Sequence, residues 1–120
     1  MDNKTVAEKS IVFSIRLINL YKLLTGEKHE YILSKQLLRS GTAVGALIRE
    51  AEHAQSKADF LNKMNIALKE ANETDYWLLL LYRGGYMNET EYNSINSDCT
   101  EVLKMLIKIV KTTKENLGRK

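Results

Sequence analysis

The chain of 120 residues contains no proline, one cysteine, one tryptophan and two histidines. Each shortage excludes something. Without proline, nothing in the chain forces a helix to end or kink. A single cysteine, Cys99, excludes an intrachain disulfide framework and a cysteine-rich metal site. Its neighbours Ile95, Val102 and Leu103 place it on an apolar helical face, so a buried, inert thiol is expected rather than a nucleophile. No run approaches the roughly 20 apolar residues needed to span a bilayer. The opening Met-Asp-Asn-Lys-Thr lacks a signal peptide's apolar stretch. These two absences give the expectation of a cytoplasmic protein with no membrane partner.

What is present is 44% apolar and 28% charged residues, dominated by helix formers. That balance fits a folded all-α domain of the full 1–120 span and argues against disorder. Charge is uneven. Residues 1–103 carry 12 basic and 14 acidic side chains, a net of −2. Residues 104–120 carry Lys104, Lys108, Lys111, Lys114, Arg119 and Lys120 against Glu115 alone, a net of +5. A basic end on a near-neutral body points to an anionic partner, or to lysines that complement the C-terminal dipole of a solvated helix.

Apolar spacing predicts four helices, over about 5–24, 30–54, 56–83 and 88–116. In the first, Ile11, Ile15 and Ile18 share one face, while Phe13, Leu17, Leu20 and Leu24 form another. So wide an apolar surface exceeds what one partner helix covers. Gly26 is expected to end this helix in the left-handed conformation. Ser56 with Asp59, and Asn88 with Glu91, have the spacing of N-terminal capping boxes. Gly84-Gly85 stops the third helix. In the fourth, Ile95, Cys99, Val102, Leu106 and Ile109 recur at four-three spacing, with Lys104, Lys108 and Lys111 on the opposite face. Short connections between four amphipathic helices predict an antiparallel up-down-up-down four-helix bundle.

The second helix carries Gly41 and Gly45 in its interior. Each costs roughly 1 kcal/mol relative to alanine, so the chain needs something only glycine supplies. With Ser40, Ala43 and Ala46 they leave little side chain between this helix and its neighbours, and close helix packing is the expected use. They do not form a phosphate loop, since no Gly-Lys-Ser/Thr follows.

Chemistry-bearing constellations are few. Glu50-Ala-Glu-His53 has the Glu-x-x-His spacing of di-iron bundles. Such a centre requires a second copy of the motif, and the other histidine, His29, falls in a connection. Glu70, Glu73 and Asp75 cluster in the third helix, where salt bridges to arginines across the bundle are the expected role. Glu50 is expected to face Arg39, a lysine or a backbone group inside the bundle, leaving His53 at the surface. A metal-binding or hydrolytic enzyme built on Glu50, His53, Glu70 and Glu73 is thus the weaker alternative, and no cofactor is expected. Tyr76, Trp77, Tyr82 and Tyr86 can stack on bases, though packing is the commoner use at helical spacing.

The residues from Gln36 to Trp77 resemble a known family. Gln-Leu-Leu-Arg-Ser-Gly-Thr-x-Val-Gly-Ala at 36–46, Arg-Glu-Ala at 49–51, Ser-Lys-Ala-Asp-Phe at 56–60 and Ile-Ala-Leu-Lys-Glu-Ala-Asn-Glu-Thr-x-Tyr-Trp at 66–77 are similar to the bundle proteins encoded in 23S rRNA intervening sequences. The resemblance implies a homopentamer without established catalysis. It also implies kinship with the basic accessory variability protein of diversity-generating retroelements, which binds a reverse transcriptase and nucleic acid. Where the family signature reads Ser-Val-Gly-Ala-Asn-Ile, this chain has Ala43 and Leu47, and Leu79 replaces a frequent glutamate. Polar groups are thereby lost from the expected contact between the second and third helices.

The expectation is therefore a non-enzymatic self-associating bundle that binds RNA or DNA through phosphate contacts. The residues expected to make them are Lys104, Lys108, Lys111, Lys114, Arg119 and Lys120, with Arg39, Arg49 and Lys57. The rival is a scaffold for a protein partner, such as a polymerase, without nucleic acid.

Overall fold

In a computed structural model describing residues 3–118, the chain forms four helices: α1 (Asn3–Gly26), α2 (Leu33–Glu52), α3 (Lys57–Arg83) and α4 (Glu89–Gly118). No strand occurs among the described residues. The bundle is elongated, 53 by 22 by 20 Å. Arg119 and Lys120 lie outside the described residues.

Local chemistry explains most boundaries. The Ser56 hydroxyl accepts from the Asp59 N–H at 3.0 Å, while the Asp59 carboxylate accepts from the N–H of Gln55. At Asn88 the box is reciprocal: its side-chain oxygen accepts from Glu91 N–H at 2.8 Å, and the Glu91 carboxylate accepts from Asn88 N–H at 2.9 Å. Such caps each contribute about 1 kcal/mol by satisfying free helix donors. At the end of α3 the N–H of Tyr86 donates to Leu81 O and that of Gly85 to Tyr82 O. This closing pattern needs a left-handed residue, and Gly85 supplies it at φ 89°.

The α1–α2 connection differs from expectation at both ends. Gly26 stays within α1, and the left-handed residue is His29 at φ 56°. That turn returns Glu30 N–H to Leu24 O at 2.9 Å. It also lays the Glu30 carboxylate over the start of α2, which begins at Leu33 rather than Glu30. The N–H groups of Ile32, Leu33 and Ser34 donate to that carboxylate at 3.1, 2.9 and 2.6 Å. Burial pushes the Glu30 carboxyl up. The donors from Leu33, Ser34 and Ile32 together outweigh it and leave the group below the usual carboxylate range. Its stabilisation is therefore present above the unfolded-state value and lost as pH falls through the lowered one. Glu30→Gln is expected to cost about 1 kcal/mol at neutral pH, by analogy with losing a helix cap. In urea titrations that difference should shrink toward pH 3; a constant difference would refute the carboxylate's role.

Two apolar clusters fill the interior. One joins Val6, Val44, Ile48, Met64, Ala67, Val102 and Leu106. The other joins Phe13, Leu17, Leu24, Leu37, Leu78, Leu81, Ile95 and Cys99. Gly41 and Gly45 lie where α2 crosses α1. A methyl group at Gly41 would stand 2.0 Å from Leu17 Cδ1, and one at Gly45 would stand 3.3 Å from Ser10 Oγ. The close approach that their positions implied is thus mainly to α1. On the α3 side, a buried polar contact persists despite Ala43 and Leu47. The Thr74 hydroxyl lies 2.9 Å from that of Ser40 and 2.7 Å from Glu70 O, and both side chains are fully enclosed.

Candidate nucleic-acid interface

Lys104, Lys108, Lys111 and Lys114 project from the exposed side of α4. Helical spacing puts Lys104, Lys108 and Lys111 in one row, with Lys114 and the half-exposed Ile107 at its edge. The apolar row Ile95, Cys99, Val102 and Leu106 anchors the other side of the helix in the core, so the lysines are held outward. None of the four forms a salt bridge among the described residues. Glu101 is one turn before Lys104, yet its carboxylate is taken by Lys9 of α1 at 2.8 Å. Asp98 is likewise taken by Arg16 at 2.6 Å, and that guanidinium also donates to Ser94. Pairing with α1 thus occupies Glu101 and Asp98, leaving the exposed Glu115, one turn after Lys111, as the acid beside the row.

The remaining basic candidates divide. Arg49 and Lys57 are exposed and unpaired among the described residues. Arg39 is not free: its guanidinium bridges Glu70, at 3.3 Å, and Glu73, and its Nε donates to Gln36. Glu73 also accepts from the indole N–H of Trp77 at 2.9 Å. Glu70 and Glu73 thus have the arginine partner that their clustering suggested. Glu50, expected inside the bundle, is exposed, with Lys63 at 3.7 Å.

The acidic and histidine residues do not converge. Among the described residues, no group of three or more His, Cys, Asp or Glu side chains is placed to hold a metal ion. Glu50 and His53 border an open recess of about 540 Å³ with Arg49, Asp59 and Lys63, at the α2–α3 connection. Cys99 is fully buried, as its neighbours implied. Its thiol is pushed up to about 12, first by burial and then by Asp75 and Asp98. A thiol held protonated in this way is inert. The aromatic set at the end of α3 packs internally: Tyr82 stacks on Tyr92 at 4.5 Å and Trp77 lies against the second core cluster, while Tyr76 is exposed.

α1 shows the outcome that its two apolar faces implied. Phe13, Leu17 and Leu24 are buried, whereas Ile11, Val12, Ile15 and Ile18 are 53, 58, 54 and 39% exposed. The α1–α4 seam beside them is the thinnest helix contact. Recesses of about 270 and 480 Å³ lie along it, the larger floored by Leu20, Leu23, Met87 and Ile95. No helix among the described residues is long and apolar enough to cross a membrane.

These features define a class: a four-helix bundle whose main exposed features are a row of lysines without ion pairs among the described residues and an uncovered apolar helix face. The chain belongs to the 23S rRNA-intervening sequence protein family, whose model matches residues 2–108. It is also similar to a crystal structure of a protein of unknown function from the S23 ribosomal protein family of Bacteroides thetaiotaomicron. That likeness has a TM-score of 0.90 and 58% identity, and covers 92% of this chain and 99% of the other. No curated protein matches the chain.

Proposed function

We propose that this protein is a non-enzymatic homo-oligomer that binds RNA or DNA by neutralising phosphates, without reading base sequence. The observation that carries the reading is the α4 row of Lys104, Lys108, Lys111 and Lys114, outward and without an ion pair among the described residues. Lysine is a strongly hydrated point charge on a flexible stem, suited to backbone contact rather than bidentate base readout. Hydrogen-bond and ion pairs between neighbouring helices support an up-down-up-down arrangement. With Ala71 beside Cys99 and Asp75 beside Asn96, α3 running opposite to α4 brings Lys57 to the level of Lys114. Arg119 and Lys120 follow α4 in sequence and extend its basic end. Arg39 drops out, since Glu70 and Glu73 neutralise it.

Self-association is supported by the α1 face of Ile11, Val12, Ile15 and Ile18, together with exposed Tyr31, Ile32 and Tyr76. Solvated surfaces of this apolar character mark contact sites. The family resemblance implies five copies, and that number is part of the proposal. Each copy then adds its own lysine row, and a modest patch becomes a strong field.

Titrating a labelled duplex at two salt concentrations tests the reading. Four lysine contacts per copy predict an affinity falling with salt at a log–log slope of about −4 or steeper. No binding at low salt would sink the nucleic-acid reading and leave the protein scaffold. Light scattering in parallel gives the number of copies.

A further inference from the structure

Ile32 stands at the end of the bundle where α1 gives way to α2. It is 75% exposed, the most exposed large apolar side chain among the described residues, and Tyr31 beside it is 58% exposed. Their backbone is held in place. The N–H of Ile32 donates to the buried Glu30 carboxylate, as do those of Leu33 and Ser34. The Tyr31 hydroxyl lies 3.0 Å from His29 Nδ1. An isoleucine presented to water by a fixed backbone loses little further freedom when it is covered, which suits an anchor residue.

A socket lies at the same end on another side. The recess of about 480 Å³ between α1 and α4 has an apolar floor of Leu20, Leu23, Met87 and Ile95. Arg16 and Glu91 stand on its rim. Arg16 is held by Asp98 and Ser94, while Glu91 enters no ion pair among the described residues, so the rim keeps an acidic character. Lys35, one turn on from Ile32, is exposed and also without an ion pair among them. Ile32 does not fill this recess in its own chain, because it heads α2, which lies across the bundle from α4 without touching it. Its height nevertheless matches. Lys28 N–H bonds to Leu23 O and Glu30 N–H to Leu24 O, which sets Ile32 close to the level of Leu23.

We propose that Ile32, with Tyr31, seats in the α1–α4 recess of a second copy of this chain, bringing Lys35 toward that copy's Glu91. This contact presupposes the self-association proposed above and adds which surfaces meet. The surface that enters differs from the one that receives, so the contact is head-to-tail and repeats until it closes, as a ring of five requires. Rotation about an axis parallel to the bundle keeps every residue at its own height, and anchor and socket share one. The exposed isoleucines of α1 border the same seam, and the body of the arriving copy covers them.

Cysteine cross-linking under mild oxidation tests the contact, with buried Cys99 left in place. Asn19, exposed on the rim of the recess, supplies the second position. Ile32→Cys alone and Asn19→Cys alone are expected to stay uncross-linked, and a mixture of the two proteins should give pairs. Carried together on one chain, the two changes should give a ladder on a denaturing gel that climbs copy by copy to the full ring, because each copy donates one anchor and receives another. A ladder that stops at two copies, or cross-linking of Ile32→Cys to itself, would overturn the head-to-tail arrangement. Ile32→Ala removes a side chain that makes no cap bond to α2, so helical circular dichroism should not change. The concentration at which the assembly falls apart should rise by about tenfold or more. If light scattering shows an assembly that gives no ladder and ignores Ile32→Ala, this contact is overturned and self-association is spared. A monomer in the unmodified protein would overturn both.

Discussion

Gly41→Val is expected to destabilise the bundle by about 3 kcal/mol, the upper end of what overpacking a core costs. A single added methyl already falls 2.0 Å from Leu17 Cδ1, and Thr74 Cγ2 closes the other side at 3.5 Å. Leu17 is fully enclosed, so its side chain has no open space to swing into. Gly41→Ala should cost less, about 1 kcal/mol net, because the gain of roughly 1 kcal/mol in helix propensity offsets part of the clash. Urea denaturation of the series Ala, Val and the double variant Gly41→Ala/Leu17→Ala provides the check. The two changes in the double variant touch the same contact, so they should be non-additive, with shortening Leu17 relieving the clash. If Gly41→Val unfolds at the urea concentration of the unaltered protein, α1 and α2 do not meet at this glycine.

Replacing Lys104, Lys108 and Lys111 together with glutamine should remove most nucleic-acid affinity while leaving the fold intact. Three phosphate contacts per copy disappear, so the salt slope should fall by about 3 units and the affinity at moderate salt by at least about tenfold. The three side chains are exposed and make no hydrogen bond or ion pair among the described residues, so the urea midpoint should stay within error. Arg39→Gln should behave in the opposite way. It leaves Glu70 and Glu73 without their cation and should move stability more than binding. A triple-lysine variant that binds as well as the parent would move the interface away from α4.

How much of this was legible in the sequence varies with the range of each interaction. The helices and their caps were readable because Ser56 with Asp59 and Asn88 with Glu91 act within one turn. The lysine row was readable because period and charge coincide over a few turns. The start of α2 was not. Glu30 caps from ahead of the helix, and its reach depends on His29 adopting a left-handed conformation that the nearby Gly26 was the more obvious residue to take. Arg39 looked available because its partners, Glu70 and Glu73, stand on another helix, more than thirty residues away. Period alone showed that α1 has two apolar faces. It could not say which the bundle would cover, since that depends on where Gly41 lets α2 approach.

The buried pair Ser40 and Thr74 bears on how α2 is aligned along α3. Apolar side chains of similar size tolerate a slip of one helical turn, because leucine meets leucine again one step further on. Two hydroxyls do not. Displaced by a turn, the two would lose each other and keep only the carbonyls of their own helices, Glu70 O for Thr74 and Leu37 O for Ser40, at a cost of about 1 kcal/mol. Ala43 and Leu47 make the rest of this contact permissive, so the Ser40–Thr74 bond is left to select one alignment among several that the hydrophobic surface alone would accept.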